Sequence, residues 1–355
     1  MRVLALTRYG DLGASSRVRL GQFLPALGAA GIHVEVAPLL DDAYIRRLYG
    51  GARTSPVDLV RAYARRVLRL AAGPRPDVVW VEKEVLSYLP AWAERLLLAR
   101  APYVVDYDDA TFHTYDRHRL SIVRAALGRK IDHLMRRAAV VVAGNDYLAE
   151  HAQRAGARRV DVIPSVVDLA GYASAPRAQP AAPRPRIGWI GSPGSEILLT
   201  VAAPALAALV ASGAADVALI GTSAAALPGV PHERRTWTEA SEAAELARLD
   251  IGIMPVWDEP FARGKCGYKL VQYGAAWLPS VASPIGVNRE IVVPGETGLL
   301  ATTTSEWEHA LRRLTSDAAL RRTMGDAARA RIAHKFTIDA VAPRFVAALH
   351  AGASR

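Results

Sequence analysis

Two runs of alternating strand-like and helix-like segments most constrain the fold of this 355-residue chain. The first run predicts short apolar strands at 2–6, 33–38, 77–81, 103–106, 140–143 and 160–163, with helices at 22–30, 57–71, 89–99, 120–137 and 149–155. The second run predicts strands at 187–191, 217–221, 251–255, 278–283 and 298–301, followed by helices at 307–314, 317–334 and 338–350. Such alternation is typical of a parallel sheet wrapped by helices.

The two runs are separated by segment 171–186, which is rich in proline and alanine and lacks any hydrophobic periodicity. These properties predict a linker. A chain of this length also exceeds one typical domain. We therefore expect an α/β protein with two Rossmann-like, doubly wound domains, at residues 1–170 and 187–335. A ligand is expected in the cleft between them, at the carboxyl ends of the strands.

The number of cysteines and the length of the apolar runs indicate the cellular compartment of the chain. Cys266 is the single cysteine, which excludes a disulfide framework and indicates a reducing compartment. The first residues form an apolar stretch only as long as a strand, and no run of eighteen apolar residues occurs. A cytoplasmic protein is therefore predicted.

The segment 254–293 carries most of the functional signal. A buried strand is predicted to end near Pro255, and a glycine-punctuated loop then enters a helix at about Tyr268. Lys265 and Lys269 flank that helix start, where unpaired N–H groups and the positive end of the helix dipole favour an anion. Lysine is otherwise scarce in this arginine-rich chain, and its compact mobile charge suits phosphate.

This segment resembles the donor-binding segment of the retaining glycosyltransferases of family 4, which have the GT-B fold. The resemblance covers most of the chain and is closest to a branch with the pattern P-F-x-x-G-K-x-G-x-K-L, found here at 260–270. It implies a UDP-, GDP- or dTDP-sugar as donor and a glycan or lipid-linked acceptor. It also implies that the last helix, within 336–355, returns to the first domain.

Three positions depart from the family's usual motif of two glutamates followed by A-x-A-x-G-x-P. Gln272 occupies the position of the second glutamate, which usually binds the nucleotide ribose. The first glutamate falls on Gly264, and Trp277 stands where the motif has glycine. These departures leave open a weakly active or inactive homologue.

The resemblance and the glycine loops together predict the donor site. The expected phosphate ligands are Lys265, Lys269 and Arg263, with backbone N–H groups of Gly191 and Ser192 after the strand at 187–191. Lys265 and Lys269 would also act catalytically, by stabilising charge on the leaving phosphate. Further donor contacts are expected at Gly13, Gly267, Tyr268, Leu270, Gln272 and Glu290.

The first strand leads into a glycine-containing loop and a helix start. Backbone can approach a ligand closely at such glycines. The resemblance implies that this loop borders the donor diphosphate and the acceptor, with Arg17 and Arg19 on the acceptor side. Both arginines could equally cap or pack within the domain.

An acidic loop, which includes Asp108 and Asp109, follows the strand at 103–106. Crowded carboxylates of this kind favour shifted pKa values or strongly bonded partners. Family members often have His or Asp here, against the donor sugar or the acceptor hydroxyl, so Asp109 and His113 are catalytic candidates and Asp108 an acceptor-side one. Capping of a helix by aspartate is the competing interpretation. Capping of the next helix is also the main role expected of Asn145 or Asp146.

Metal binding and nucleophilic catalysis by cysteine have less support in the sequence. The histidines are scattered, and no His, Cys, Asp or Glu cluster has metal-site spacing, so we expect neither a metal nor another cofactor. Cys266 at a helix start could be a nucleophile, but no histidine partner is evident. A small packed residue is the favoured interpretation.

The net charge of +10 raises the question of an anionic partner. Most of the excess lies before Asp168, in helical segments that include Arg61–Arg69 and Arg124–Arg137. Solvated helix faces are the favoured interpretation, and peripheral contact with an anionic membrane is the alternative. No nucleic-acid motif accompanies the charge, so we expect no nucleic-acid partner.

A metal-independent, retaining hexosyltransferase for glycan, polysaccharide or glycolipid synthesis is therefore predicted. Two rivals stay open: a nucleotide-sugar 2-epimerase of the same fold and a catalytically silent nucleotide-sugar-binding protein.

Overall fold

The computed structural model describes residues 1–49, 55–173 and 184–354. The chain divides into two compact units. The first comprises Met1–Ser165, Gly264–Cys266 and Val341–Arg355, and the second comprises Val166–Arg263 and Gly267–Ala340. Most of the predicted linker, 174–183, lies outside the described residues.

Six parallel strands form the sheet of the first unit. They are β1 Arg2–Tyr9, β2 His33–Leu40, β3 Val78–Glu82, β4 Tyr103–Tyr107, β5 Val140–Ala143 and β6 Val160–Val162. Their order is β2-β1-β3-β4-β5-β6. The helices are α1 Ala14–Arg19, α2 Leu24–Ala29, α3 Asp42–Tyr49, α4 Pro56–Ala72, α5 Ala91–Leu97, α6 His113–Asp116, α7 Ser121–Leu127, α8 Lys130–Arg137 and α9 Asp146–Arg154, with 3₁₀ turns at Gly21–Phe23 and Leu98–Arg100.

The second unit repeats this arrangement with its own parallel sheet. Its strands are β7 Arg186–Ile190, β8 Asp216–Ile220, β9 Glu233–Arg235, β10 Ile251–Met254, β11 Ser280–Ala282 and β12 Gly298–Leu300, in the order β12-β11-β10-β7-β8-β9. Its helices are α10 Ala170–Ala173, α11 Ala203–Ala211, α12 Glu242–Leu246, α13 Pro260–Arg263, α14 Tyr268–Ala275, α15 Asn288–Ile291, α16 Thr304–Ser316 and α17 Ala318–Lys335, with a 3₁₀ helix at Pro193–Val201.

The final helix, α18 Ile338–Ala353, begins in the second unit and belongs to the first from Val341 onward. There the Phe345 ring lies 4.6 Å from the Phe23 ring and 5.2 Å from the Trp80 ring. Aromatic burial of this kind is a large source of packing energy. The helix therefore completes the core of the first unit.

The predicted fold class is confirmed, because both units are parallel sheets with helices on them. Central strands such as β3 and β4 are buried along their whole length, and their apolar residues, mainly Val and aromatic residues, suit a parallel sheet covered on both faces. The short strand β9 was not predicted, because its sequence, ERR, is polar. The single helix predicted at 120–137 is instead α7 and α8, separated at Gly128–Arg129.

Membrane-spanning potential is confined to one bent pair of helices. Within the described ranges, no single helix is long and apolar enough to cross a bilayer. The segments Pro193–Val201 and Ala203–Ala211 pass that test only together, across a bend of 73°.

Candidate functional site

The predicted residues of the first unit follow the carboxyl ends of its strands. Gly13 lies in the loop after β1, and Asp108 and Asp109 come directly after β4. Because all six strands are parallel, these ends meet at one edge of the sheet. The first unit therefore presents its predicted polar residues on one edge.

Lys83 lies at the centre of this edge, directly after β3, and the sequence analysis missed it. Its Nζ is 2.9 Å from Asp108 Oδ1 and 3.3 Å from Asp109 Oδ2, and it donates a hydrogen bond to Ser15 Oγ at 3.1 Å. The residue is buried, with a left-handed φ of 64° that L-residues rarely adopt. Such strain persists where the surroundings determine the conformation and often marks function. A lysine immediately after a buried strand, in a lysine-poor chain, was the available signal.

Charge compensation keeps both sides of this ion pair ionised. Burial by itself would lower the pKa of Lys83, but Asp108, Asp109 and Glu82 around it raise that pKa above its usual value. Burial likewise would raise the pKa of Asp108, and the Lys83 ammonium overcomes this and lowers it. The loop after β4 therefore holds the Asp108 carboxylate ionised, and we call this edge of the sheet the carboxylate edge.

Segment Gly264–Cys266 packs onto the same edge of the first unit. The Asn145 side-chain amide donates to the carbonyl oxygens of Gly264 and Lys265, at 3.0 and 3.1 Å. Its Oδ1 accepts the N–H of Leu148 at 3.0 Å, which confirms the predicted capping of α9. Asn145 thus has a second role, which capping statistics do not predict. The segment brings Lys265 Nζ to 3.9 Å from Asp109 Oδ1.

Close packing of this segment explains one motif departure. A Cβ on Gly264 would lie 2.6 Å from the Cβ of Ala110 and 2.8 Å from its backbone nitrogen. No side chain fits there without movement of the backbone. The family's first glutamate therefore has no room at this position.

Cys266 is a packed residue of the first unit. It is buried, and an added Cβ on Gly144 would lie 2.2 Å from its sulfur. Burial raises the pKa of the thiol well above its usual value. Since the thiolate is the nucleophile, this environment supports the packing interpretation over a catalytic one.

We expect the Cys266 thiol to be inert in the folded protein. Its reaction with a thiol reagent at pH 8 should be at least about a hundredfold slower than in denaturant. Cys266→Ala should retain near-normal turnover. Rapid labelling of the native protein, or loss of activity in the alanine variant without loss of fold, would contradict this.

Arg19 and His113 have partners within the first unit. Arg19 is 1% exposed, and its guanidinium bonds Asp106 at 2.6 and 3.1 Å, which supports the packing role that the sequence left open. The two ring nitrogens of His113 lie 2.9 Å from Asp116 Oδ1 and 2.8 Å from the Tyr147 hydroxyl. We therefore regard Arg19 as structural and His113 as a positioning candidate. Arg17 remains a predicted acceptor contact.

In the second unit, two of the residues predicted to bind phosphate, Gly191 and Lys269, lie close to Trp189, the penultimate residue of β7. A Cβ on Gly191 would lie 2.3 Å from the Trp189 indole, and Lys269 Nζ lies 5.2 Å from the centroid of that ring. We call Trp189, Gly191 and Lys269 the Trp189 cluster. It sits where strand order reverses, between β7 and β10, which is the usual ligand position in such sheets.

The helix start beside this cluster requires glycine. Gly267, the residue before α14, has φ +65°, and a Cβ there would lie 2.4 Å from Ile291 Cδ1. This turn starts α14 so that Lys269 lies in its first turn. The predicted N–H donor of Gly191 needs correction, however, because that N–H bonds the Ile220 carbonyl at 3.0 Å. The phosphate contact of the Ser192 N–H, just before the 3₁₀ helix, stays a prediction.

The remaining donor candidates differ in accessibility. Arg263 and Glu290 are exposed, although Arg263 Nε also contacts Asp258 Oδ1 at 2.8 Å. Tyr268 begins α14 and is half-buried. Leu270 is a buried core residue, so its contribution is packing rather than direct donor contact.

Two motif departures also have structural consequences in the second unit. Gln272 is buried and hydrogen-bonds the Tyr172 phenol, which in turn donates to Glu242 Oε1 at 2.7 Å. Trp277 has φ 56°, a conformation that explains the family's glycine at this position. The Arg329 guanidinium lies 4.1 Å over the Trp277 ring and helps to hold it there.

Trp237 is a second candidate that the sequence analysis missed. It follows β9, and its indole N–H donates to Glu242 Oε2 at 2.9 Å. A Cβ on Gly221, just after β8, would lie 3.1 Å from Trp237 Cβ and 2.5 Å from the Gly191 carbonyl. This half-buried indole therefore neighbours the Trp189 cluster. Trp237 was missed because β9, the strand before it, was not predicted.

Family models match both halves of the chain. The glycosyl transferase 4-like domain matches residues 3–165, and the glycosyl transferases group 1 domain matches residues 184–317. The chain belongs to the group 1 glycosyltransferases. No curated protein matches the sequence of this glycosyltransferase significantly.

Solved structures show that the glycosyltransferase has the GT-B fold. Sucrose-phosphate synthase from Thermosynechococcus elongatus has a TM-score of 0.70 and 16% identity, covering 99% of this chain and 98% of its own. Anabaena HepE in complex with UDP-glucose has a TM-score of 0.71 and 18% identity, with 99% of both chains covered. Trehalose 6-phosphate synthase from Burkholderia multivorans has a TM-score of 0.65 and 15% identity, again over 99% of both chains.

Proposed function

We propose that this glycosyltransferase moves a hexose from a nucleotide-diphosphate sugar to a glycan or lipid-linked acceptor, with retention of anomeric configuration. The Trp189 cluster carries the proposal. It offers an ammonium group in the first turn of a helix, beside a glycine loop at the switch point of a parallel sheet. Family membership and the UDP-glucose complex of HepE support the same donor class.

The chemistry requires charge stabilisation on the leaving group. As the bond from the anomeric carbon to the diphosphate breaks, negative charge grows on phosphate and the sugar becomes oxocarbenium-like. Lys269 and the N–H groups at the start of α14 would stabilise that charge in place. Trp237 would offer an indole face to the nucleobase.

Acceptor binding is assigned to the carboxylate edge of the first unit. Asp109, which contacts Lys83 and Lys265, would orient the acceptor hydroxyl, together with Arg17 of α1, the helix after β1. A leaving phosphate oxygen would take the acceptor proton on the same face of the sugar. No dedicated base is then required, so Asp109 acts by orientation.

We expect transfer to proceed without a divalent metal. Among the described residues, no group of three or more His, Cys, Asp or Glu could hold a metal ion. Lysine ammonium groups and the N–H groups at the helix start would stabilise the phosphate charge in place of a metal cation. Full activity in excess EDTA is the expected result. Loss of activity that manganese or magnesium restores would contradict it.

The rivals retain specific support. Gln272 and Gly264 replace both motif glutamates, which favours a silent nucleotide-sugar-binding protein, and a 2-epimerase would share the fold. Incubation with UDP-, GDP- and dTDP-sugars, with and without a glycan acceptor panel, separates these cases. Acceptor-dependent release of nucleoside diphosphate supports the proposal. An isomerised sugar indicates the epimerase, and binding without turnover indicates the silent protein.

A further inference from the structure

A groove of about 840 Å³ lies on the first unit, away from the candidate site. It is bordered by α5 and α8 and by residues just before three strands: Pro102 before β4, Ala139 before β5 and Arg158 before β6. These are the amino-terminal ends of parallel strands. The groove therefore lies at the edge of the sheet opposite the carboxylate edge.

The exposed charge of the groove is positive. Arg95, Arg137 and Arg158 are exposed lining residues, and none of them forms an ion pair within the described part of the chain. The one acidic lining residue, Glu94, is buried and lies 2.9 Å from the Lys130 ammonium. Three cations without acidic partners complement an anionic surface.

Of the arginine clusters visible in the sequence, this set includes only Arg137. Arg66 is buried and donates to backbone carbonyls, and Arg69 forms a fork with the Glu35 carboxylate. Lys130 is fully buried between two glutamates. Some basic residues of those clusters are thus internal, and the groove collects arginines from separate elements.

Apolar side chains accompany these cations. Trp92 and Leu96, on successive turns of α5, are 63% and 61% exposed. Ile122 is 74% exposed on α7, which also contributes Ala126 to the groove. Exposed Trp and Leu beside arginine are typical of surfaces at the boundary between lipid headgroups and acyl chains.

We propose that this face docks on a bilayer containing anionic lipid. Trp92 and Leu96 enter the headgroup region while Arg95, Arg137 and Arg158 contact lipid phosphates. The commitment to a bilayer rests on the combination of unpaired cations with exposed apolar side chains on one face. Docking by the amino-terminal edge leaves the carboxylate edge clear of the lipid. The inference is independent of the proposed reaction.

Flotation with vesicles tests the proposal. We expect vesicles of equal parts phosphatidylglycerol and phosphatidylcholine to retain the protein at low salt and to retain less of it at high salt. Vesicles of phosphatidylcholine alone should retain little of it. The triple variant Arg95→Gln, Arg137→Gln, Arg158→Gln should lower the partition coefficient by roughly ten- to a hundredfold. The variant Trp92→Ala, Leu96→Ala should also lower it.

Matched controls lie on the second unit. Arg234→Gln, Arg313→Gln, Arg322→Gln removes the same charge from exposed positions, and Ile197→Ala truncates a 56% exposed apolar residue. Both should bind as the unaltered protein does. Failure of the unaltered protein to bind anionic vesicles, or equal losses in groove and control variants, overturns the proposal.

A second measurement is independent of variant stability. Lipids brominated near the headgroup should quench fluorescence of the unaltered protein, and Trp92→Phe should abolish most of that quenching. Quenching that is unchanged in Trp92→Phe would place the contact elsewhere and also overturn the proposal. Thermal melting of each variant verifies that the fold is intact.

Discussion

Lys269→Ala is expected to lower turnover by about two to three orders of magnitude, the scale seen when one donor to a developing oxyanion is removed. The Lys269 ammonium lies over the Trp189 ring in the first turn of α14, next to the glycine loop after β7. If it holds the leaving diphosphate, its charge matters more as the bond breaks than before. The loss should therefore appear mainly in kcat rather than KM.

The fold should survive this change, because a lysine at a helix start contributes little to stability. Lys335→Ala is the matched control, since it removes an exposed lysine from α17 of the same unit. Turnover of the control should stay within about twofold of normal. Equal turnover in both variants would remove Lys269 from the mechanism.

Lys83→Met is expected to affect both stability and activity. Removing one partner of a buried ion pair leaves Asp108 charged and uncompensated, at a cost of about 3 kcal/mol. Asp109 would also lose a lysine that holds it, and we expect kcat/KM to fall by about a hundredfold. Chemical denaturation and steady-state kinetics measure the two effects separately.

Two comparisons separate positioning from mere stability. Adding Asp108→Asn to Lys83→Met should recover stability but not activity, because Asp109 still lacks its contact with Lys83. Lys130→Met removes the other buried lysine of the unit, whose partners are Glu84 and Glu94. It should destabilise the protein at least as much while the folded fraction keeps its turnover. Recovery of activity in the double variant would show that Lys83 is only structural.

The acid stability of the protein should depend on the same pair. Lys83 lowers the pKa of Asp108 in the folded state, so the pair stabilises the fold above the unfolded pKa of aspartate, about 3.9. That stabilisation is lost as pH falls through the folded pKa of Asp108.

Hydrophobic periodicity was sufficient to predict the architecture. Runs such as those of β3 and β4 are predominantly apolar, and their alternation with helices indicates a buried parallel sheet. Where local sequence carries no apolar signal, as in β9, prediction failed. Trp237, which follows β9, was missed for that reason.

Long-range contacts account for the other gaps. Lys83 gains its partners from α1 and from the loop after β4, and Asn145 contacts carbonyls of residues more than a hundred positions away. Motif spacing carries no information on such pairs. Gly264 and Trp277 were recognised as departures, but their causes, contact with Ala110 and a positive φ, exist only in three dimensions.

The most direct test of the account is the turnover of Lys265→Ala, Lys269→Ala with the donor and acceptor that the panel identifies. The account predicts a folded protein that still binds the donor and whose turnover falls by at least about three orders of magnitude. A folded double variant with near-normal turnover would show that neither lysine is needed for transfer and would contradict the proposed role of lysine in stabilising the leaving diphosphate.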